Sequence, residues 1–313
     1  MIKKRHFLIV MGILLIGLIV GSFLDLQINQ AIFSDRNGFG IAMAAFGTLP
    51  CYGGLAFLGG ALFGTSFARR KERHMAITVG SYIAAAACYI ISIYLGSKDI
   101  PSINGYNNEA LKIPAIIVGI FLFAGIAVFG YLVSVKNDNK QLWAIIVAMI
   151  IVYIIGLIPV SYVIKLFIHR PRFRLVVNYG GIPFHNWWES YKDYQAYIDA
   201  NPLINGFNIT KEEFKSFPSG HTGSAAIMMM LLPYLSVFFK SLKGKETMLF
   251  YIGFAWTLLM MFSRMLVGAH YLTDTCMGAL ILMVVFFTVQ VFGVSKGWMF
   301  SEKKPEPEPI QEQ

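Results

Sequence analysis

Apolar runs of about 20 residues recur along the whole chain, and each is long enough to cross a hydrocarbon core of about 30 Å as a helix. The eight candidate spans are roughly 7–25, 48–68, 75–96, 113–135, 142–168, 221–240, 247–268 and 274–295. Of the 313 residues, 56% are hydrophobic and 14% are charged, whereas soluble domains carry about 25% charged residues. Since a segment in lipid must satisfy its own backbone hydrogen bonds, the runs predict an all-α, polytopic transmembrane helical bundle of about eight spans.

The basic residues between these runs predict the orientation of the bundle. The net charge is +9, and most Lys and Arg fall on one side if the spans alternate. This basic set comprises Lys3, Lys4, Arg5, Arg69, Arg70, Lys71, Arg73, Lys136, Lys140, Lys240, Lys243, Lys245, Lys296, Lys303 and Lys304. The positive-inside rule makes that side cytoplasmic, with both termini inside. Charges placed in this way serve topology and contact with anionic headgroups, so no nucleic-acid partner is expected.

Three further features predict structure rather than chemistry. The first apolar run reaches Leu24 without an A-x-A cleavage pattern, which favours an uncleaved first span over a signal peptide. Residues 296–313 are polar and Pro-rich, as expected of a disordered cytoplasmic tail. Cys51, Cys88 and Cys276 lie in or beside apolar segments without metal-like spacing, so they are expected to be small core residues.

The longest predicted outer loop, 169–220, is rich in aromatic residues at spacings of three to four: Trp187, Trp188, Tyr191, Tyr194 and Tyr197. The spacing predicts a short amphipathic helix at the headgroup level, ended by Asn201-Pro202. Thr210 followed by Glu213 predicts a capping box for another short helix. The aromatic segment 184–198 is expected either to anchor the loop at the membrane surface or to set substrate choice.

Three polar clusters fall at predicted outer span ends. The first is basic and reads Lys165-Leu166-Phe167-Ile168-His169-Arg170-Pro171-Arg172. Lys165 and Arg172 are seven residues apart, or two helical turns, and can face one way if the turn persists. Pro171 disfavours a helical conformation at Arg170. Such a cluster suits an anion at the interface, although basic residues at span ends also snorkel toward water without binding anything.

The second cluster is Phe217-Pro218-Ser219-Gly220-His221, at the junction of a polar loop with an apolar run. The first backbone N–H groups of a helix have no intrahelical partner and form an anion site. Ser219 adds a hydroxyl, Gly220 allows close backbone approach, and His221 can donate a proton near neutral pH. The alternative is an ordinary N-cap serine with a chance histidine.

The third cluster carries Ser263, Arg264, His270 and Asp274 among strongly apolar segments, where charged residues are costly and are candidates for function. On a helix, His270 and Asp274 would be neighbours, so that the carboxylate holds one ring nitrogen and leaves the other free. A structural His–Asp pair between helices is the alternative. Together the three clusters supply cations, a helix start, two imidazoles and a carboxylate, which suits a phosphoryl group.

These residues resemble the type 2 phosphatidic acid phosphatase superfamily, which includes lipid phosphate phosphatases and polyprenyl diphosphate phosphatases. Its pattern is Lys-x6-Arg-Pro, then Pro-Ser-Gly-His, then Ser-Arg-x5-His-x3-Asp. The chain carries the following members of that pattern: Lys165, Arg172, Pro218, Ser219, Gly220, His221, Ser263, Arg264, His270 and Asp274. Phe173 departs from the family's proline, and an Arg-Pro pair occurs two residues early, at Arg170-Pro171.

The resemblance implies a role for each matching residue. Lys165, Arg172 and Arg264 hold phosphate oxygens together with Ser219 and the Gly220 N–H, and Arg170 is the fallback for Arg172. His270 attacks phosphorus to form a phosphohistidine, Asp274 orients His270, and His221 protonates the leaving group before water hydrolyses the phosphoenzyme. The family's phosphatases need no metal or other cofactor. Ser263 belongs to the pattern without an assigned role.

The resemblance also predicts how the chain is organised and what it does. Residues 142–295 are the expected catalytic core, and 1–141 are N-terminal spans, two of them additional to the family's usual six. The expected function is hydrolysis of a lipid phosphomonoester or diphosphate at the extracytoplasmic face, in a bacterial cytoplasmic membrane. The partner is thus a lipid phosphate substrate, and the oligomeric state is left open. Two alternatives are a lipid or sugar phosphotransferase using the same site and a non-catalytic transporter or structural membrane protein.

Overall fold

A computed structural model describes residues 2–102, 109–137, 139, 141–178, 182–204 and 207–295 as a bundle of apolar helices. In chain order the helices are α1 (Lys4–Ile32), α2 (Gly38–Phe46), α3 (Leu49–Ala68), α4 (Met75–Ser97), α5 (Lys112–Val135), α6 (Leu142–Ile158), α7 (Phe173–Asn178), α8 (Tyr194–Ala200), α9 (Gly220–Ala226), α10 (Met228–Phe238), α11 (Glu246–Leu266) and α12 (Leu272–Ser295). A two-residue antiparallel ladder joins β1 (Leu203–Ile204) to β2 (Phe207–Asn208). The predicted all-α bundle is confirmed, and the predicted tail 296–313 lies outside the described residues.

Among the described residues, seven helical segments are long and apolar enough to cross a membrane: Lys4–Ile32, Gly38–Ala68, Met75–Ser97, Glu109–Val135, Gly220–Phe238, Glu246–Leu266 and Leu272–Gly293. The remaining predicted span, 142–168, is the fifth in chain order and holds the 17-residue α6, which continues as a π-helical turn, Pro159–Val163, and a 3₁₀ turn, Ile164–Leu166. Pro159 has no N–H to donate, so the regular α-helical pattern stops there. The helical segments therefore coincide with the eight predicted runs.

Close helix packing in the N-terminal half depends on small residues of α3. A Cβ added to Gly60 would collide with the backbone of Ala127 on α5, and one added to Gly130 of α5 would collide with the backbone of Phe57. Small residues at helix crossings are the usual means of close approach in membranes. The cysteines Cys51, Cys88 and Cys276 are free and buried, as predicted.

One end of the bundle, here called the motif end, is where α1 and α11 finish and α9 and α12 begin. The described parts of the loop 169–220 cover this end and have a small hydrophobic core of their own: Leu175, Ile182, Ile209 and Phe214, with Tyr191, Tyr194, Tyr197 and Ile198 packed against it. The predicted aromatic helix is limited to α8, and its two tyrosines, Tyr194 and Tyr197, pack on Phe214. Trp188, in the turn before α8, is 55% exposed.

The predicted capping box at Thr210 and Glu213 was wrong. Lys211–Phe214 is a 3₁₀ turn, and no side-chain hydrogen bond caps it at Thr210. The Glu213 carboxylate instead accepts two hydrogen bonds from Arg174, at 2.9 Å from Nε and 2.5 Å from Nη2. A bidentate charged pair is stronger than a neutral cap, which explains the outcome.

Candidate active site

Gly268 ends α11 and thereby places His270 at the motif end. Its φ is 62°, a backbone conformation that residues with a Cβ rarely adopt. The amides of Gly268 and Ala269 return to the carbonyls of Met265 and Arg264 at 2.9 and 3.0 Å, which is a Schellman motif. His270 therefore lies in the connector before α12, and the helical geometry expected for His270 and Asp274 is not formed.

The His270 ring is held in one tautomer by a backbone carbonyl. Nδ1 lies 2.6 Å from the oxygen of Ser216, which can only accept, so Nδ1 carries the proton and Nε2 carries the lone pair. The carboxylate of Asp274 is farther away, at 3.8 Å from Nδ1, so it acts on the ring electrostatically. Burial lowers the pKa of His270 to about 3 against the opposing effect of Asp274, so the ring is neutral at neutral pH.

Asp274 accepts hydrogen bonds from three separate parts of the chain. Its carboxylate accepts hydrogen bonds from Arg170 Nη1 at 2.5 Å, Ser216 Oγ at 2.5 Å and the Tyr271 amide at 2.8 Å. Its carbonyl accepts from the Ser219 amide at 2.9 Å. The three motifs identified in the sequence are thus brought to one place through a single residue of α12.

Arg170 is fully buried, and its contacts are with the protein itself. Nε donates to the His185 carbonyl at 2.8 Å, and Nη1 donates to Thr273 Oγ1 at 2.8 Å as well as to Asp274. Nη2 donates to Asp25 Oδ2 at 2.8 Å, and the guanidinium lies 4.0 Å from the centroid of the Tyr271 ring. A guanidinium engaged on all three nitrogens does not fit the fallback role of phosphate ligand.

Arg172 and Lys165 lie close enough to His221 and His270 for their positive charges to act on both imidazole rings. Arg172 Nε is buried without a hydrogen-bond partner among the described residues, which distinguishes it from Arg170. Lys165 Nζ donates to the Lys215 carbonyl at 2.8 Å. Both therefore remain suited to the predicted contact with an anion.

Phe173, which departs from the family pattern, has a packing role. It is buried at the start of α7, with ring centroids 5.2 Å from Phe33 and 6.0 Å from Tyr271. The aromatic contacts stabilise the position that a proline occupies in the family pattern.

Ser219 caps α9, as one of the two sequence interpretations held. Its hydroxyl oxygen lies 3.3 Å from the Thr222 amide and 3.0 Å from Thr222 Oγ1. Gly220 is the first residue of the helix, and His221 follows it. His221 Nε2 has no hydrogen-bond partner among the described residues, and the carboxylate oxygen Oδ2 of Asp99 lies 3.5 Å from it.

Arg264 is buried near the end of α11 and is held by a residue of the N-terminal half. Its Nη2 donates to the Gly40 carbonyl of α2, and its Nε lies 3.3 Å from Ser263 Oγ. Ser263 in turn donates to the Met260 carbonyl at 2.7 Å. Ser263 therefore orients Arg264, which gives a role to the one pattern residue that lacked one.

The sequence interpretation missed several contributors, of which Asp25, Asn29 and Asp99 come from the N-terminal half. Ser216 was missed as well, and its contribution is partly through its backbone carbonyl, for which no sequence signal exists. Asp25 had a signal, because a carboxylate within an otherwise apolar span is costly and is by default a functional candidate.

Fold and site together define a helical membrane protein with a buried cluster of cations and imidazoles at one end of the bundle. Within the described ranges, no three His, Cys, Asp or Glu side chains are grouped as metal ligands. Residues 141–296 match the model of the PAP2 superfamily, and the chain belongs to this superfamily through that half. Neither the curated proteins nor the solved structures gave a match. Membership places the chain, in general terms, among the phosphoric ester hydrolases.

Proposed function

We propose that the chain is a membrane phosphatase that hydrolyses a lipid phosphomonoester or lipid diphosphate at the extracytoplasmic face through a phosphohistidine, without a metal. The observation that carries the proposal is the neutral His270 with its lone pair on Nε2, close to the charges of Arg172 and Lys165. A nucleophile with an unprotonated nitrogen beside fixed cations is what phosphoryl transfer requires.

The proposed reaction begins when His270 Nε2 attacks phosphorus in line with the leaving oxygen. The imidazole gains positive charge, and Asp274, 3.8 Å from Nδ1, stabilises it. Arg172, Lys165 and Arg264 neutralise the charge on the phosphoryl oxygens. His221 gives its proton to the leaving oxygen, and then takes a proton from the water that attacks the phosphohistidine and restores His270.

A substrate panel tests this function. Purified protein should release phosphate from at least one of phosphatidic acid, phosphatidylglycerol phosphate and undecaprenyl diphosphate with a chelator present. Release only after metal is added would contradict the metal-independent part, and no release by folded protein from a broad panel would contradict the whole proposal. A phosphorylated acceptor on thin-layer plates, with little free phosphate, would favour a phosphotransferase.

The His221→Ala variant tests the acid role through the leaving group. We expect phosphate release from an alkyl phosphate to fall about 100- to 10,000-fold, the usual contribution of general acid catalysis. Release from an aryl phosphate should fall much less, because its leaving oxygen needs no proton. Equal losses on both substrates would show that His221 serves binding or structure instead.

A lipid substrate is supported by apolar side chains beside the site. Leu166 and Phe167 follow Lys165 directly and are 68% and 72% exposed. The acyl chains of a lipid substrate can pack against these two side chains at this edge of the bundle, which keeps apolar surface away from water. The exposed Trp188 lies on the covering loop, whereas Trp187 donates to Ser22 of α1 at 2.9 Å and stacks on Phe217.

Replacing Leu166 and Phe167 together with serine is expected to raise the KM for a long-chain lipid phosphate about tenfold, which corresponds to about 1.4 kcal/mol of lost contact. The KM for a short-chain, water-soluble analogue should stay the same. The matched control is the double variant Met248→Ser and Ile252→Ser, on exposed positions of α11 away from the motif end. A tenfold rise for both chain lengths would mean that the pair supports the site and does not contact acyl chains.

A further inference from the structure

Helix α1 lies in the part of the chain that the family match does not cover, yet it reaches the site with two buried polar residues, Asp25 and Asn29. Asp25 Oδ1 accepts from the Thr273 amide at 3.1 Å, and Oδ2 accepts from Thr273 Oγ1 and from Arg170 Nη2. Asn29 Nδ2 donates to the His270 carbonyl at 3.0 Å. Helix α1 therefore holds the backbone at His270 and again three residues later.

Asp25 also shares Arg170 with Asp274. The guanidinium donates through Nη2 to Asp25 at 2.8 Å and through Nη1 to Asp274 at 2.5 Å. All three side chains are buried, so their charges are weakly screened. Because one guanidinium donates to two carboxylates, Arg170 is shared between them and is held in place from both sides. Without Asp25, Arg170 would keep Asp274 as its one carboxylate partner among the described residues.

Several close contacts fix α1 in this position. A Cβ added to Gly21 would come within 3.1 Å of the Thr273 amide, and one added to Gly17 would come within 2.7 Å of Cys276 Sγ on α12. Glycine at these two positions allows the helix to lie directly against the first turns of α12. The carboxylate of Asp25, one turn farther along, is thereby brought to Thr273.

From these contacts we infer that α1 is part of the active site and that Asp25 is a positioning residue, acting through Arg170 and Thr273 on Asp274 and His270. The inference rests on the proposed function, because it takes His270 as the nucleophile. It gives a role to the first of the N-terminal spans, which the resemblance to the family left without one.

The test compares Asp25→Asn with Asp35→Asn, the same chemical change at an exposed position just after α1. We expect Asp25→Asn to lower kcat about 100-fold, the effect of misplacing a reacting group by about 1 Å, with KM changed by less than about twofold. Amide hydrogen exchange across 268–275 should be faster in Asp25→Asn and unchanged in Asp35→Asn. The more disruptive Asp25→Ala should show a larger change in the same exchange.

The outcomes separate the inference from the function on which it rests. Wild-type kcat and exchange in Asp25→Asn, with wild type active, would overturn the inference alone. A loss of activity in proportion to the loss of folded protein, measured by thermal unfolding, would reduce Asp25 to a structural residue and also overturn it. An inactive wild type would contradict the proposed function, and unchanged exchange in both Asp25 variants would then refute the contact of α1 with the segment 268–275 as well.

Discussion

Replacing His270 with alanine should lower phosphate release by about a thousandfold or more, because the substitution removes the attacking nitrogen and no neighbouring side chain can replace it. The measurement is release of inorganic phosphate from the best substrate of the panel, with the phosphoenzyme trapped by acid quench. Wild type should show a labelled protein intermediate, and His270→Ala should show none.

His74→Ala provides the matched control for this loss. His74 is an exposed histidine before α4, at the end of the bundle away from the motifs. Its replacement should leave activity and the labelled intermediate in place. If His270→Ala kept even a tenth of the wild-type rate, the phosphohistidine mechanism would have to be abandoned.

Replacing Arg170 with methionine should destabilise the protein by about 3 to 5 kcal/mol, the usual cost of leaving a buried charge without its partner. In this variant both Asp25 and Asp274 would lose their cation while staying buried. The measurement is the thermal unfolding midpoint in detergent, together with the fraction of monodisperse protein on size exclusion.

Arg172→Met should behave in the opposite way. Since Arg172 Nε has no hydrogen-bond partner among the described residues, the substitution should leave the unfolding midpoint within a few degrees of wild type. Phosphate release should fall greatly, because the cation that faces the phosphoryl oxygens is removed. Comparing the two variants shows which of the two arginines contacts the substrate phosphate. A stable but inactive Arg170→Met, matching Arg172→Met, would instead make Arg170 a substrate ligand.

The sequence predicted the bundle well because each of its signals is local or periodic. A segment that crosses the lipid must be apolar over its length, so apolar runs mark the spans, and the helices coincide with the predicted ranges. The motif residues were predicted from fixed spacings, and the capping serine at Ser219 followed from the same turn chemistry that the structure shows.

The parts that could not be predicted depend on contacts between distant residues. Nothing in the spacing of Asp25 or Gly40 connects them with Arg170 or Arg264, from which they are separated by 145 and 224 positions. The position of His270 was wrong in detail because Gly268 ends the helix before it, so the ring turns to the Ser216 carbonyl. Glu213 likewise pairs with Arg174, because a nearby cation outcompetes a weak cap.

The buried pair of Asp25 and Arg170 has a consequence for synthesis of the chain. The acid is made 145 residues before the cation that it faces, so at about 5 to 20 residues per second the ribosome needs about 7 to 29 seconds to supply the partner. During this interval the first helix has already emerged with an uncompensated acid near its carboxyl end. Interfacial water, or the insertion machinery, must accommodate that acid until the fifth apolar segment has been inserted. Only then can Arg170 reach Asp25 and form the pair.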